Sequence, residues 1–158
     1  MKTGWAALLI LLLLAACNGS GEVRVPRELS LAKSYLEDKG YRVLSYEGEV
    51  QSYELTKDVL KKLPGKIVWG LQSVDPDRYL GKMIRVQKFV VNGHPLSRGK
   101  VDVYVYENEG EPFGGTSFPQ DQNETDGSGW SLDGKTLEKV HSVSFPDWSE
   151  AWQEKYGS

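Results

Sequence analysis

Apolar residues recur three and four apart at Leu29, Ala32 and Leu36, with Tyr35 beside them, and this spacing predicts a helix over 27–39. Pro26 stands at its start, where a missing N–H costs little, and Gly40 follows as a left-handed C-cap. A strand is expected over 41–47. Thr56 caps a second helix over 57–63, which Pro64-Gly65 terminates. The run 66–74, holding Ile67, Val68, Trp69 and Leu71, is β-like in composition but short, so buried strand and helix both stay open. Asp75-Pro76-Asp77 starts a brief helix that Gly81 ends. The segment 82–92 is expected as a strand with apolar residues mixed across its faces. Asn92-Gly93 signals a turn, lengthened by His94-Pro95.

The clearest alternation lies over 100–107. Val101, Val103 and Val105 point to one face, and Asp102, Tyr104 and Tyr106 to the other. This strand pairs with 82–92 as an antiparallel hairpin, and 113–118 adds a third strand. Residues 119–129 are polar and Gly-rich, hence a loop, and 130–132 is a short strand. At the end, Trp148, Trp152 and Tyr156 fall four apart, behind Pro146-Asp147 and before Gly157. That is an amphipathic helix. Its stripe either packs on the sheet or, exposed, binds a partner or a membrane interface. No internal repeat is visible. The expected fold class is α+β: a single domain in which an antiparallel sheet packs against N- and C-terminal helices.

A different pattern precedes these elements. Twelve apolar residues from Trp5 to Ala16 follow Met1-Lys2 and end in Leu14-Ala15-Ala16-Cys17. A basic start, a short apolar core and small residues before a cut define a secretory signal. Twelve helical residues rise only about 18 Å, short of a hydrocarbon layer of about 30 Å. The box Leu14-Ala15-Ala16-Cys17 resembles that of bacterial lipoproteins. The resemblance implies cleavage before Cys17, diacylglycerol on its thiol, and a membrane-anchored, extracytoplasmic location. Two acyl chains suit the anchor, since one gives only marginal binding. The other reading is an uncleaved anchor helix with an incidental cysteine. Residues 1–16 are thus expected as signal peptide, 17–25 as lipidated cysteine and flexible tether (Asn18-Gly19-Ser20-Gly21), and 26–158 as the globular domain.

The 142 residues left after the first 16 are one domain's worth of chain, and 26% charged residues suit a folded soluble body. Cys17 is the only cysteine, so no disulfide, thiolate metal site or cysteine nucleophile is available once it is acylated. Charge is uneven. Residues 17–100 carry 15 Lys and Arg against 10 Asp and Glu, while 101–158 carry 3 against 12. Either the two halves mingle on folding, or a basic side faces anionic lipid or wall polymer. Export and overall acidity argue against nucleic acid as a partner.

Catalytic motifs are scarce. His94 and His141 have no paired metal-ligand spacing and are expected at the surface. Neither a nucleophile elbow nor a phosphate loop occurs. Ser97 near Lys100 is a chance pairing in a polar turn. The acidic stretch Asp121 to Gly127 has Asp126 and Leu132 where a calcium loop needs Gly and Glu, so it is read as a solvated loop. Asn123-Glu124-Thr125 matches a glycosylation sequon by pattern only. No metal and no cofactor are implied. Gly114-Gly115-Thr116-Ser117 is the remaining candidate: successive glycines can present N–H groups to an anion or a peptide carboxylate, unless they form a plain bulge or turn. Trp148 and Trp152 are the other candidate binding residues.

The body also resembles an uncharacterised family of mostly Firmicutes envelope proteins, domain of unknown function 4830. The likeness lies in Ala32-Lys33, Tyr35-Leu36 and Gly40-Tyr41, then Leu71-Gln72 and Tyr79-Leu80-Gly81-Lys82, then Val103-Tyr104-Val105-Tyr106 before Gly114-Gly115. It implies a Gram-positive extracytoplasmic lipoprotein and carries over no catalytic residue. The leading expectation is a non-catalytic binding module at the cell envelope, held to the membrane by its lipid and taking a protein, peptide or wall polymer. The alternative is an envelope hydrolase or transferase using carboxylates such as Asp102, Glu107 and Glu109.

Overall fold

The structure, a computed structural model, describes residues 26–120 and 129–157. The signal segment, Cys17, the tether, the acidic stretch 121–127 and the sequon therefore lie outside the described residues. Among those described, five strands form one antiparallel sheet in the order β1-β2-β3-β4-β5. They are β1 (Arg42–Glu54), β2 (Met83–Asn92), β3 (Val101–Asn108), β4 (Glu111–Pro119) and β5 (Trp130–Ser131). Helices α1 (Ser30–Asp38), α2 (Lys57–Lys61), α3 (Gly65–Gly70), α4 (Leu137–His141) and α5 (Phe145–Tyr156) cover it. The α+β class and the packing of first and last helices on an antiparallel sheet are as the sequence predicts.

Alternation along β3 splits the interior in two. Val101, Val103 and Val105 join Ala32 and Leu36 of α1 in one core. Tyr106, on the other face, joins Trp69, Leu137, Trp148 and Trp152 in a second core under α3, α4 and α5. The strand β2 serves both. Its first half gives Ile84 and Val86 to the second core, and its later half gives Phe89 and Val91 to the first. The two helical layers are thus offset along the sheet, each covering one end of one face. This offset is why apolar residues in β2 look mixed between faces.

Several elements differ from the sequence prediction. The first strand runs to Glu54, seven residues beyond the predicted end. It is an edge strand with three register shifts, between Val43 and Ser45, Tyr46 and Gly48, and Glu49 and Gln51. Each shift breaks the period of two, and most of its later half is exposed, so no hydrophobic alternation marks it. The ambiguous run 66–74 is the helix α3 followed by an irregular segment, with Trp69 and Gly70 buried. The second helix ends at Lys61, and the segment Pro76–Tyr79 is a 3-10 turn. A short helix, α4, occupies a stretch for which no element was predicted. Local caps follow the sequence: Thr56 accepts from Val59 N–H, Asp75 from Asp77 N–H and Ser144 from Asp147 N–H. Gly40 adopts φ +88°, as its C-cap role requires.

Candidate binding groove

The four-residue spacing of Trp148, Trp152 and Tyr156 turns all three inward. Their rings stack in a tilted column, 5.1 Å between Trp148 and Trp152 and 4.8 Å between Trp152 and Tyr156. All three are buried, in keeping with the packed reading of the stripe. Trp152 Nε1 donates to Leu60 O at 2.8 Å, tying α5 to α2. Gly70 lets Trp148 come close: a Cβ there would collide with the benzo edge of Trp148 and with Leu137. His141 Nε2 donates to Gly70 O at 2.7 Å, and its ring lies 5.7 Å from that of Trp148. A carbonyl only accepts, so the Nε2 proton is fixed by this contact.

Between α5 and the segment after α3 lies a groove of about 450 Å³. Trp69, Trp148, Trp152 and Tyr156 form its floor, and Ser73, Asp75, His141 and Lys155 supply polar groups. Its size and its mix of aromatic wall with few polar groups are those of a small-ligand or peptide side-chain site. Lys155 spans the groove. Its Nζ lies 3.0 Å from Asp75 Oδ1 and 3.0 Å from Asp77 Oδ2, clasping α5 to the 3-10 turn. The Lys155 ammonium and the Asp77 N–H hold the Asp75 carboxyl below its ordinary range. Trp148 Nε1 is buried with no hydrogen-bond partner among the described residues.

The stretch Gly114 to Ser117 lies inside β4, buried, rather than in an open turn. Its glycines answer packing needs. A Cβ on Gly114 would collide with Gln72 Oε1, and one on Gly115 with Tyr104 O. Gln72 bridges the sheet to α3: Oε1 accepts from Gly115 N–H at 2.7 Å, and Nε2 donates to Val68 O at 2.7 Å. Successive N–H groups of a strand alternate in direction, so they do not converge on an anion. The adjoining cavity, lined by Tyr35, Gln72, Gly114 and Gly115, measures about 90 Å³.

His94, expected at the surface, is buried at 4% exposure. Its Nδ1 accepts from Leu96 N–H at 3.0 Å, so Nε2 carries the proton and donates to Ser117 Oγ at 2.9 Å. Ser117 in turn donates to Ser131 O at 2.9 Å. A histidine that donates to a serine does not act as its base, so this chain of bonds ties β4, β5 and the β2–β3 connection together. Ser97 is buried and its Oγ accepts from Gly99 N–H, while Lys100 is exposed.

The three carboxylates of the enzyme alternative do not converge. Asp102 pairs with Lys88 at 2.9 Å and accepts from Gln120 at 2.6 Å. Glu107 points to the opposite face of β3 and is buried, its Oε2 accepting from Gln87 at 3.3 Å. Burial pushes its carboxyl above the ordinary range, against the pull of Gln87 and Arg85. Glu109 is exposed in the β3–β4 turn at φ 54°. Among the described residues no three His, Cys, Asp or Glu side chains gather to hold a metal ion.

Fold and groove define an α+β domain with an aromatic-floored cleft at its helical layer. Comparison with protein-family models, with curated proteins and with solved structures returns no match.

Proposed function

We propose that this chain is a membrane-anchored, extracytoplasmic binding module, acylated on Cys17, whose α5 groove takes part of an envelope protein, a peptide or a wall polymer. The observation that carries the binding half is the groove itself: about 450 Å³, floored by four aromatic side chains and rimmed by Ser73, Asp75 and Lys155. Support for the anchor half is the match of Leu14-Ala15-Ala16-Cys17 to the lipoprotein box behind a twelve-residue apolar run. The resemblance to Firmicutes envelope proteins favours a Gram-positive cell membrane. No cofactor and no nucleic acid enter this reading. Asp102 pairs with Lys88 while Glu107 is buried on the other face of β3, so the carboxylates named for the hydrolase or transferase alternative do not act as a pair with one another.

A photo-crosslinking residue at Ala151, exposed beside the groove, tests the binding half in intact cells. The same residue at Leu96 controls for proximity. An adduct formed from position 151, absent from position 96 and lost when Ser73→Trp fills the groove, is the expected result. Equal adducts from both positions, or none from 151, contradict it.

A further inference from the structure

Gln87 of β2 serves two carboxylates with one amide. Its Nε2 donates to Glu49 Oε2 of β1 at 3.4 Å and to Glu107 Oε2 of β3 at 3.3 Å. Both bonds are longer than the usual N–H···O range. Tyr46 O–H donates to Gln87 Oε1 at 3.0 Å, which orients the amide toward the two acids. Glu107 is 2% exposed, and its Oε1 has no hydrogen-bond partner among the described residues. Arg85 is the cation whose charge reaches it. The register sets Arg85 directly opposite Glu107, with both side chains on one face of the sheet. Yet Arg85 leans the other way, its Nε 3.9 Å from Glu49 Oε2. That pair is loose, since the gap exceeds a hydrogen bond and the Arg85 side chain is 61% exposed. In β4, Pro112 opposes Glu107 and brings no charge. The charged and titratable groups of the cluster are therefore Tyr46 and Glu49 from β1, Arg85 from β2 and Glu107 from β3.

A buried carboxyl with a bare oxygen is stable as the neutral acid or beside a cation. Burial favours the acid here, and the Glu107 carboxyl is held above its ordinary range. When a higher pH removes that proton, two negative charges compete for Gln87 and Arg85. Glu107 is buried and Glu49 partly hydrated, so Glu107 has the greater need of both donors. We infer that Arg85 changes partner with pH, lying on Glu49 while Glu107 is protonated and on Glu107 once it ionises, and that this exchange loosens the middle of β1. Glu49 stands between two register shifts, Tyr46/Gly48 and Glu49/Gln51. Each shift interrupts the backbone ladder, and β1 is an edge strand of the sheet. The ties from Glu49 to Gln87 and Arg85 thus reinforce the strand where its ladder is weakest, and ionised Glu107 takes both away.

Amide hydrogen exchange of the native full chain in detergent micelles tests this with no substitution at all. It is read by mass spectrometry at about pH 5 and about pH 8, and corrected for intrinsic exchange rates. The expected result is several-fold lower protection over 47–52 at the higher pH, with 101–106 of β3 unchanged. Glu107→Gln keeps the shape of the side chain without its charge, and should hold 47–52 protected at both values. Glu49→Gln removes the low-pH partner of Arg85, so protection should start low and stay low. Equal protection of the unsubstituted chain at both pH values overturns the exchange. A fall that survives Glu107→Gln places the titrating group elsewhere and overturns it too. A fall that survives Glu49→Gln overturns the change of partner.

Discussion

Gly114→Ala should destabilise the protein, and Gln72→Ala should reverse the sign of that effect. Gly114 has no positive φ, so alanine fits its backbone. The obstacle is Gln72 Oε1, which the new Cβ would strike. Gln72 does not swing away freely, because 2.7 Å bonds to Gly115 N–H and Val68 O hold both ends of its amide. Overpacking costs about 1–3 kcal/mol, and moving the amide forfeits about 1 kcal/mol more per bond broken. Loss of glycine's freedom in the unfolded chain returns about 0.4–1 kcal/mol. The net cost is about 1–3 kcal/mol, or a fall in Tm of roughly 3–4 °C per kcal/mol for a domain of this size. With Gln72→Ala the amide is gone and the methyl group enters vacated space. Gly114→Ala then becomes neutral or stabilising by up to about 1 kcal/mol. Thermal and urea unfolding of the four chains, followed by circular dichroism, gives a coupling of about 2 kcal/mol. The same cost for Gly114→Ala in both backgrounds would refute the reasoning.

Two further outcomes follow from buried polar groups. Burial raises the Glu107 carboxyl above 4.5, so between that value and its folded pKa the folded chain holds a proton that the unfolded chain lacks. Stability therefore falls as pH rises through that window. Glu107→Gln flattens this part of the urea-midpoint profile and raises stability at pH 7, whereas superimposable profiles contradict the assignment. Trp152→Phe breaks the bond to Leu60 O, while Trp148→Phe removes an N–H that has no partner among the described residues. In urea denaturation Trp152→Phe should cost about 1 kcal/mol more than Trp148→Phe, and the reverse order would count against the hydrogen-bond accounting.

What could be read in the sequence follows from where periodicity is undisturbed. Val101, Val103 and Val105 alternate without a bulge and lie under one helix, so their strand and its face are evident. The spacing of Trp148, Trp152 and Tyr156 likewise gives α5 and its buried side. The later half of β1 carries bulges and exposed side chains, and neither leaves a mark in hydrophobicity. Gly65–Gly70 is partly or fully buried on every side, which erases the amphipathic signal of a helix. For the groove, the sequence supplied the aromatic floor but not its rim. Asp75 and Lys155 are 80 positions apart, and only the packing of α5 against the 3-10 turn brings them together. The glycines Gly114 and Gly115 were visible, yet the side chain that explains them, Gln72, lies 43 positions from Gly115. His94 reads as a polar turn residue because Ser117, whose Oγ its Nε2 meets, lies 23 positions away in β4.

The lipid on Cys17 is the claim on which location and tether both depend. Intact-mass spectrometry of the native protein extracted from membranes with detergent tests it most directly. The account predicts a chain that begins at Cys17 and carries at least a diacylglyceryl adduct. A chain that retains Met1 and bears an unmodified Cys17 would contradict it.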